Sequence, residues 1–407
     1  MNLDRLNNHI TQMGSIGTTP DGGVTRLAFT DEDMQGRKLL TSYMHNLGLE
    51  VYEDGIGNIS GVWRGLNPTL PRLIVGSHID TVPEGGKFDG VLGVLGALEC
   101  IQTMREHGFM PNRSIEVVSF SAEESSRFNI STIGSKMISR PFDLQVLHQY
   151  KDKDDVSLYE ILFTKGFDPS NLKQWDHQEI FAFLELHIEQ GPRLELLQAD
   201  IGIVDKIAAP TRLVVTIKGE AAHSGSCPME YRKDALVAAA MVIEQVEQVG
   251  IEESVYQTVA TIGRIDIEPG SMNVVPERAK LYLDIRGVDM QSIERALSAI
   301  VYKISNITTS RGLTFTVETI SHETPVQLDF RLAGIIENIC LDRDFKAIRM
   351  SSGAGHDSMN LARIVPTALI LIPCVGGISH NKRENVLPKD INNGLNILHE
   401  CMHRLSF

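Results

Sequence analysis

Short apolar runs alternate along much of the chain with longer stretches in which apolar residues recur at helical spacing. The helical stretches include residues 31–47 and 90–107, and a glycine closes the first of them. The apolar runs are short and lead into glycine or polar residues, as buried strands do. Four of these runs lie at 73–75, 115–120, 181–186 and 367–372. This alternation predicts an α/β fold.

Residues from about 210 to 325 have a different pattern, with partial apolar-polar alternation that is typical of a sheet covered on one side. The predicted strands lie at 212–218, 259–267, 280–286 and 315–320, and the predicted helices at 234–249 and 291–307. The order β-α-β-β-α-β is the signature of a ferredoxin-like sandwich. We therefore predict an inserted domain at 210–325, within a discontinuous main domain formed by 1–209 and 326–407.

Length, charge and cysteine usage limit the classes of partner. A length of 407 residues favours two domains. With 52 acidic and 38 basic residues the net charge is −14, which disfavours binding to nucleic acid or to anionic membranes. We find no secretory signal in MNLDRLNNHI and no apolar stretch near the ~20 residues of a membrane span. Five scattered cysteines without a CxxC pair exclude a thiolate zinc knuckle and predict a cytoplasmic location.

Residues that can bind metals follow the predicted strands of the main domain. His78 follows the first strand, and Glu123 and Glu124 follow the second. His187 follows the third strand, and His380 lies in the loop after the fourth. Because sites in open α/β sheets form at the carboxyl ends of the strands, we expect these side chains to lie close together.

Asp89 follows a glycine-rich loop at the start of a predicted helix, and its carboxylate can span two ions at once. We predict that one ion binds His78, Asp89 and His187, and that the other binds Asp89, Glu124 and His380. Two such ions lie ~3.5–4 Å apart and acidify a shared water. Zinc or manganese is expected, and cobalt or nickel also suits these donors.

Two further acidic residues have predicted roles beside the ions. Because two neighbouring carboxylates repel each other, we assign Glu124 to a metal and Glu123 to proton transfer, as general base and then general acid. Asp80 lies two residues after His78, the spacing at which strand side chains point the same way, so its carboxylate is expected on the far ring nitrogen. A single histidine or Glu-Glu pair is more often structural, so the prediction rests on the whole group of ligands.

These residues lie in motifs that resemble those of a known family. The motifs, in chain order, are GSHIDTVPEGGKFDG, AEESSRF, ELHIEQG, NVVP, GAGHD and ISHN. They are similar to motifs of the hydantoinase/carbamoylase amidases, a branch of the zinc-dependent exopeptidase superfamily with N-carbamoyl-L-amino acid hydrolases, allantoate amidohydrolases and β-ureidopropionases. The resemblance runs from about residue 10 to the C-terminus. It implies a mixed-sheet catalytic domain of the zinc-exopeptidase type, with the inserted domain as a lid that forms a homodimer.

The resemblance also implies the roles of individual residues. It places the metal ligands on the five residues assigned above and the general base on Glu123. It implies that the lid residues His223, Asn273 and Arg286 bind substrate, with His223 acting in the site of the partner subunit. Further residues near the substrate are Gln190, Arg212, Gly355 and His356. Arg286 can hold a substrate carboxylate through two parallel hydrogen bonds or form an ion pair with Asp284, and His223 can stabilise an oxyanion.

Two positions depart from the family pattern. Ser125 follows the paired glutamates where many relatives have glycine, and the usual NHAG motif of the lid is AHSG here. Neither change removes a predicted ligand or the general base. The hydroxyl of Ser125 lies next to a predicted ligand and can narrow the pocket, so the identity of the substrate stays open.

The resemblance implies a metal-dependent hydrolase that cleaves carbon–nitrogen bonds other than peptide bonds in linear amides. We predict hydrolysis of an N-carbamoyl-L-amino acid, a ureido compound with a carboxylate, to the amino acid, carbon dioxide and ammonia. An allantoate amidohydrolase is the alternative. A non-catalytic sensor of ureido compounds is a third hypothesis, although a sensor has no need of Glu123. An aminopeptidase or dipeptidase is a fourth, disfavoured because many peptidases have aspartate in the place of His187.

Overall fold

The chain forms two units. The computed structural model describes residues 1–141, 143–172 and 174–407. The first unit contains Met1–Asp205 and Gln327–Phe407, and the second contains Lys206–Val326. Among the described residues, no helix is long and apolar enough to cross a lipid bilayer.

Helices and strands are numbered here in chain order. The helices are α1 (Leu3–Ser15), α2 (Asp31–Asn46), α3 (Val91–Glu106), α4 (Ile133–Ser139), α5 (Val146–Gln149), α6 (Leu158–Thr164), α7 (Arg193–Leu196), α8 (Ala235–Glu253), α9 (Met290–Ser310), α10 (Phe330–Asp342), α11 (Ser358–Leu361) and α12 (Pro388–Leu405). The strands are β1 (Glu50–Glu53), β2 (Ile59–Trp63), β3 (Arg72–His78), β4 (Ile115–Phe120), β5 (Ile180–Ile188), β6 (Ile201–Ile207), β7 (Ala209–Lys218), β8 (Ala222–His223), β9 (Val259–Glu268), β10 (Val274–Val275), β11 (Arg278–Gly287), β12 (Thr314–His322), β13 (Val326–Gln327), β14 (Ala347–Ser352) and β15 (Thr367–Ile372). Single 3-10 turns lie at Pro169–Asn171, His177–Glu179, Met229–Tyr231, Ser254–Tyr256 and Val375–Gly377.

A mixed sheet forms the centre of the first unit. Its strand order is β1-β2-β4-β3-β5-β15-β6-β13, with β14 paired to β6. Strand β3 is parallel to β4 and β5, β5 is parallel to β15, and β2 is antiparallel to β4. The predicted α/β class with a mixed sheet is therefore confirmed. Because the four predicted strands of the main domain are parallel in the sheet, their carboxyl ends lie along one edge.

Helix α3 is apolar around almost its whole circumference, because it is buried on both sides. It packs on β3 and β5 and is covered by α1 and α12. Gly93 lets the helix approach the sheet closely, since a Cβ at this position would lie 2.4 Å from the carbonyl oxygen of Leu186 in β5. This packing fixes the start of α3, and with it Asp89, at the carboxyl edge of the sheet.

The second unit is a separate layer of helices on an antiparallel sheet. Its main sheet has the order β12-β7-β11-β9, and α8 and α9 pack on it. Along the chain these elements follow the order β-α-β-β-α-β, as in a ferredoxin-like sandwich. Inward-facing residues such as Leu281 and Ile285 alternate with partly exposed ones along β11, which is the pattern of a one-sided sheet. A short ribbon of β8 and β10 carries His223.

Two glycine substitutions at helical positions test the packing of α3. We expect Gly93→Ala to lower the free energy of unfolding by about 1–3 kcal/mol, because the new methyl group would overlap the Leu186 carbonyl. Gly334→Ala in α10 is the matched control, since a Cβ there meets nothing within 4 Å. It should raise stability by about 0.5–1 kcal/mol through helix propensity. Urea denaturation followed by circular dichroism measures both, and equal midpoints for the two variants would contradict this account.

Candidate metal centre

Two clusters of metal-binding side chains lie at the carboxyl edge of the sheet, and they share Asp89. The first contains His78, Asp89 and His187, and the second contains Asp89, Glu124 and His380. Asp89 Oδ1 lies 3.4 Å from His78 Nε2 and 3.3 Å from His187 Nε2. Asp89 Oδ2 lies 3.4 Å from His380 Nε2, which is 3.3 Å from Glu124 Oε1. These are the same two groups that the sequence analysis proposed.

The separations between these atoms suit ions of the zinc type. Ligands about 2.0–2.2 Å from a tetrahedral ion lie about 3.4 Å from one another, and the four separations are 3.3–3.4 Å. Each carboxylate oxygen of Asp89 serves one cluster, as a bridging ligand would. The donor set and its geometry therefore fit a pair of divalent ions.

Backbone carbonyls orient two of the imidazoles. His78 Nδ1 lies 3.0 Å from the carbonyl oxygen of Asp80, and His187 Nδ1 lies 2.9 Å from that of Ile188. Each Nδ1 therefore carries the hydrogen, and each Nε2 has its lone pair on the side of the cluster, where that of His187 also accepts from the amide of Gly90 at 3.1 Å. Gly90 leaves the space for this arrangement, because it has a φ of +64° and a Cβ there would lie 2.4 Å from His78 Nε2.

The side chain of Asp80 has a different partner from the one that the sequence predicted. Its Oδ1 accepts a hydrogen bond from the amide of Glu123 at 3.2 Å, and its Oδ2 accepts one from the amide of Glu124 at 3.0 Å. Oδ1 is 3.7 Å from His78 Nδ1, which pairs with the Asp80 carbonyl instead. Strand β3 ends at His78, so the two-residue spacing of a strand does not extend to Asp80. Asp80 thus links the loop after β3 to the loop after β4.

Glu123 is buried beside the first cluster. Its Oε2 lies 3.7 Å from His78 Nε2. Burial raises the pKa of Glu123 well above its usual value, and Glu124 adds to this rise while His78 opposes it. The side chain can therefore hold a proton next to the clusters, as a general base that later acts as an acid requires.

The charges of the second cluster favour a cation. Hydrogen bonds to Asp89 and Glu124 raise the pKa of His380 to about 11. Burial works against ionisation of Asp89, yet His187 and the other two imidazoles hold its pKa well below the usual range. A group of buried carboxylates that stabilises positive charge this strongly is suited to a divalent ion.

Gln190 and His356 also lie at the clusters. Gln190 Nε2 donates to Asp89 Oδ2 at 2.6 Å and lies 3.2 Å from His380 Nε2, and the buried Oε1 has no partner among the described residues. The ring centroid of His356 is 4.6 Å from that of His187, and its Nε2 is 3.0 Å from Ser352 Oγ. Burial, and then His187, lower the pKa of His356 well below its usual value, so this imidazole is neutral. Gly355 immediately precedes it.

The other predicted substrate-binding residues lie in the second unit. His223 Nδ1 accepts hydrogen bonds from the amides of Gly225 at 3.1 Å and Ser226 at 3.2 Å. The ring hydrogen of a neutral His223 therefore lies on Nε2, which can donate to a ligand. Asn273 lies next to this loop, because its carbonyl oxygen accepts from the amide of Ser224 at 3.0 Å.

Arg212 and Arg286 share one carboxylate on the sheet of the second unit. Asp284 Oδ2 lies 3.0 Å from Arg286 Nη2 and 3.6 Å from Arg212 Nε. The ion pair with Asp284 that the sequence analysis left open is thus present. Two guanidinium groups with one carboxylate leave a net positive charge, so this partly exposed group can still attract an anion.

Two polar residues at the centre were not identified from the sequence. Ser379 Oγ lies 2.8 Å from Asp89 Oδ2 and 2.9 Å from Glu384 Oε2. Glu384 is buried, and its Oε1 accepts hydrogen bonds from the amides of Phe88 at 2.9 Å and Asp89 at 3.2 Å. Burial, and then Asp89, raise the pKa of Glu384 to about 7. The one sequence feature that could have pointed to Ser379 and Glu384 is that they lie within four residues of His380 in the chain.

Comparisons with known proteins show the family of the chain. The model of a family described as Peptidase family M20/M25/M40 matches residues 74–404. An N-carbamoyl-L-amino-acid amidohydrolase from a Pseudomonas species is 40% identical over 406 residues, which are 98% of this chain and 97% of that protein. A ureidoglycolate hydrolase from Oryza sativa is 36% identical over 409 residues, 99% of this chain and 84% of that protein. A crystal structure of a hydantoinase/carbamoylase family amidase from Burkholderia multivorans has a TM-score of 0.89 and 34% identity, covering 100% of this chain and 98% of that one.

Metal content tests the sharing of Asp89 between the two clusters. After dialysis against zinc or manganese, we expect the wild type to hold two ions per chain, by elemental analysis. Asp89→Ala should lose both ions, because its carboxylate serves both clusters. His78→Ala and His380→Ala should each lose one. The exposed His177 provides the control His177→Ala, which should keep both, and an Asp89→Ala variant that still binds two ions would contradict the assignment.

Proposed function

The chain belongs to peptidase family M20/M25/M40, and from this premise we propose that it hydrolyses N-carbamoyl-L-amino acids to the amino acid, carbon dioxide and ammonia. The chain is a hydrolase of carbon–nitrogen bonds in linear amides, as are the amidohydrolases that it resembles. The choice of substrate is supported by the Pseudomonas relative, an N-carbamoyl-L-amino-acid amidohydrolase with 40% identity over nearly the whole chain.

The bridging geometry of Asp89, with Glu123 beside it, is the observation that carries this proposal. Its two carboxylate oxygens face two clusters of imidazole and carboxylate ligands. Two divalent ions bound there would polarise the scissile carbonyl and acidify a water molecule. We propose zinc or manganese, although cobalt and nickel also suit these donors.

The side chains of the protein supply the proton transfers and the grip on the substrate. Glu123 takes the proton of the attacking water on its carboxylate and delivers it to the leaving nitrogen. In the site of the partner subunit, His223 donates from Nε2 to the oxygen on which negative charge develops. Arg286, which with Arg212 leaves a net positive charge around Asp284, holds the substrate carboxylate. Gln190 and Asn273 offer amide groups for the ureido end of the substrate.

We also propose a cytoplasmic homodimer that forms through the second unit. Apolar side chains on this unit are exposed on helix α8, including Val237, Met241 and Ile243, and on the edge strand β9, including Val259. Val237 and Met241 are four residues apart and so share one face of α8, and exposed apolar faces are typical of protein interfaces. All five cysteines are free thiols, which suits a reducing compartment.

Other ureido acids are the main alternative substrates. The Oryza sativa relative is named ureidoglycolate hydrolase, and allantoate, the alternative that the sequence motifs suggested, is also a ureido compound with a carboxylate. Neither alternative changes the roles of Glu123 and the metal clusters. A non-catalytic sensor would have no use for a general base such as Glu123. Many peptidases have aspartate in the place of His187, which disfavours a peptidase.

A substrate panel tests the choice between these compounds. We expect purified protein loaded with zinc or manganese to release ammonia from N-carbamoyl-L-amino acids, because Arg286 can hold the α-carboxylate. The panel includes allantoate, ureidoglycolate, N-acetyl amino acids and a dipeptide, each measured as kcat/KM. Ammonia from allantoate or ureidoglycolate, but from no N-carbamoyl amino acid, would overturn the choice of substrate. No turnover on any member would favour the sensor.

Removal of the proposed base tests the role of Glu123. Glu123→Gln should reduce kcat by about 10²–10⁴-fold, because the amide cannot accept the proton of water. The variant should keep two ions per chain, since Glu123 belongs to neither ligand cluster. Glu116→Gln, which changes another buried glutamate that pairs with Arg72, is the control and should keep its kcat. A Glu123→Gln variant with wild-type kcat would exclude this role.

A further inference from the structure

One buried carboxylate, that of Glu384, joins the two loops that carry Asp89 and His380. Its Oε1 accepts from two successive amides at the start of α3, those of Phe88 and Asp89, at 2.9 and 3.2 Å. Its Oε2 accepts from the hydroxyl of Ser379, which directly precedes His380, at 2.9 Å. The residue is 6% exposed, so water does not replace these contacts readily.

The loop before Asp89 is built around this carboxylate. A Cβ on Gly86 would lie 2.1 Å from Glu384 Oε1 and 2.2 Å from its carboxyl carbon. The carboxyl group thus occupies the space that a side chain at position 86 would need. Ser379 extends the contact to the ligand itself, because its Oγ is also 2.8 Å from Asp89 Oδ2. The backbone and the carboxylate of Asp89 are therefore both held from the His380 loop.

The His380 loop is held from the same point. The amide of Glu384 donates to the carbonyl oxygen of Asn381 at 2.9 Å, which closes a turn just after His380. His380 itself has a φ of +52°, a left-handed conformation that its surroundings must maintain. Both loops are thus fixed by Glu384, through its carboxylate and its backbone amide, although Glu384 belongs to neither ligand cluster.

We propose that Glu384 and Ser379 are positioning residues that set the geometry of Asp89 and His380 before any ion binds. Loss of the acceptor leaves two buried amides unpaired, and the loop that carries Asp89 then moves to reach water. The Oδ2 atom of Asp89 then no longer points towards His380 in the second cluster. The effect on ions rests on the proposed metal role of Asp89, whereas the effect on the two amides does not.

Three variants separate positioning from general stability. Glu384→Gln keeps an oxygen for the two amides, and its NH2 group can donate to Ser379, whose hydroxyl hydrogen then serves Asp89. Glu384→Ala removes the acceptor. Ser379→Ala removes the hydroxyl that contacts both Asp89 Oδ2 and Glu384 Oε2, and it leaves the bonds of Glu384 Oε1 to the two amides in place. Glu116→Gln is the control, because Glu116 is a fully buried carboxylate that pairs with Arg72 and Tyr52 elsewhere in the same unit.

Hydrogen exchange in the metal-free protein is the first readout. We expect exchange at the amides of Phe88 and Asp89 to be about tenfold faster or more in Glu384→Ala, because the two amides lose their acceptor. In Glu384→Gln the rates should stay within about twofold of the wild type, because the glutamine oxygen still accepts from both amides. The control should leave both amides unchanged. Wild-type exchange in Glu384→Ala would overturn the proposal. So would a Glu384→Gln variant that exchanges as fast as Glu384→Ala, because acceptance by the oxygen would then not be the cause.

Ion affinity is the second readout, measured by titration of zinc into the metal-free protein. The dissociation constant of the weaker ion should rise about 10–100-fold in Glu384→Ala, less in Ser379→Ala, and little in Glu384→Gln. Unchanged affinity in both Glu384→Ala and Ser379→Ala would overturn the effect on ions. If Glu384→Ala does not fold, the Ser379→Ala and Glu384→Gln arms decide the question. A wild type that binds zinc but hydrolyses no ureido acid would refute the proposed function and leave this inference standing.

Discussion

The shared carboxylate of Asp89 is the interaction on which the rest of the centre depends. One oxygen faces the imidazoles of His78 and His187, and the other faces His380, which in turn contacts Glu124. A carboxylate can bind two ions only if each of its oxygens points to one ion site. The backbone and the side chain of the residue must therefore both be held in place. The packing of α3 and the parallel strands of the sheet provide this constraint.

Charge is the second constraint on the centre. Asp80, Glu123 and Glu124 are buried near Asp89, and burial of several carboxylates is costly unless donors and positive charges surround them. Backbone amides compensate part of this negative charge, since two of them donate to the carboxylate of Asp80. A proton compensates another part, because the pKa of His380 is raised to about 11. A divalent ion in each cluster would replace protons with fixed charge, which explains why the site holds more acids than a catalytic base alone requires.

The clustering of these side chains could be predicted from the sequence because parallel strands bring polar residues at their carboxyl ends to one edge. That argument used the ends of the predicted strands and the helix start at Asp89, and it grouped His78 and His187 with Asp89 as the structure does. It failed for the Asp80 side chain, because strand spacing was assumed to continue two residues beyond the end of β3. Glu384 was missed because its contacts are to backbone amides, which leave no pattern in side-chain chemistry. The α/β class followed from periodicity in the same way, whereas the packing of α1 and α12 on α3 is tertiary and was not foreseen.

Anomalous X-ray diffraction from crystals grown with zinc tests the central claim most directly. The account predicts two peaks about 3.5–4 Å apart, one beside each carboxylate oxygen of Asp89, with His78 and His187 at one ion and Glu124 and His380 at the other. A single peak, or zinc bound away from Asp89, would contradict it.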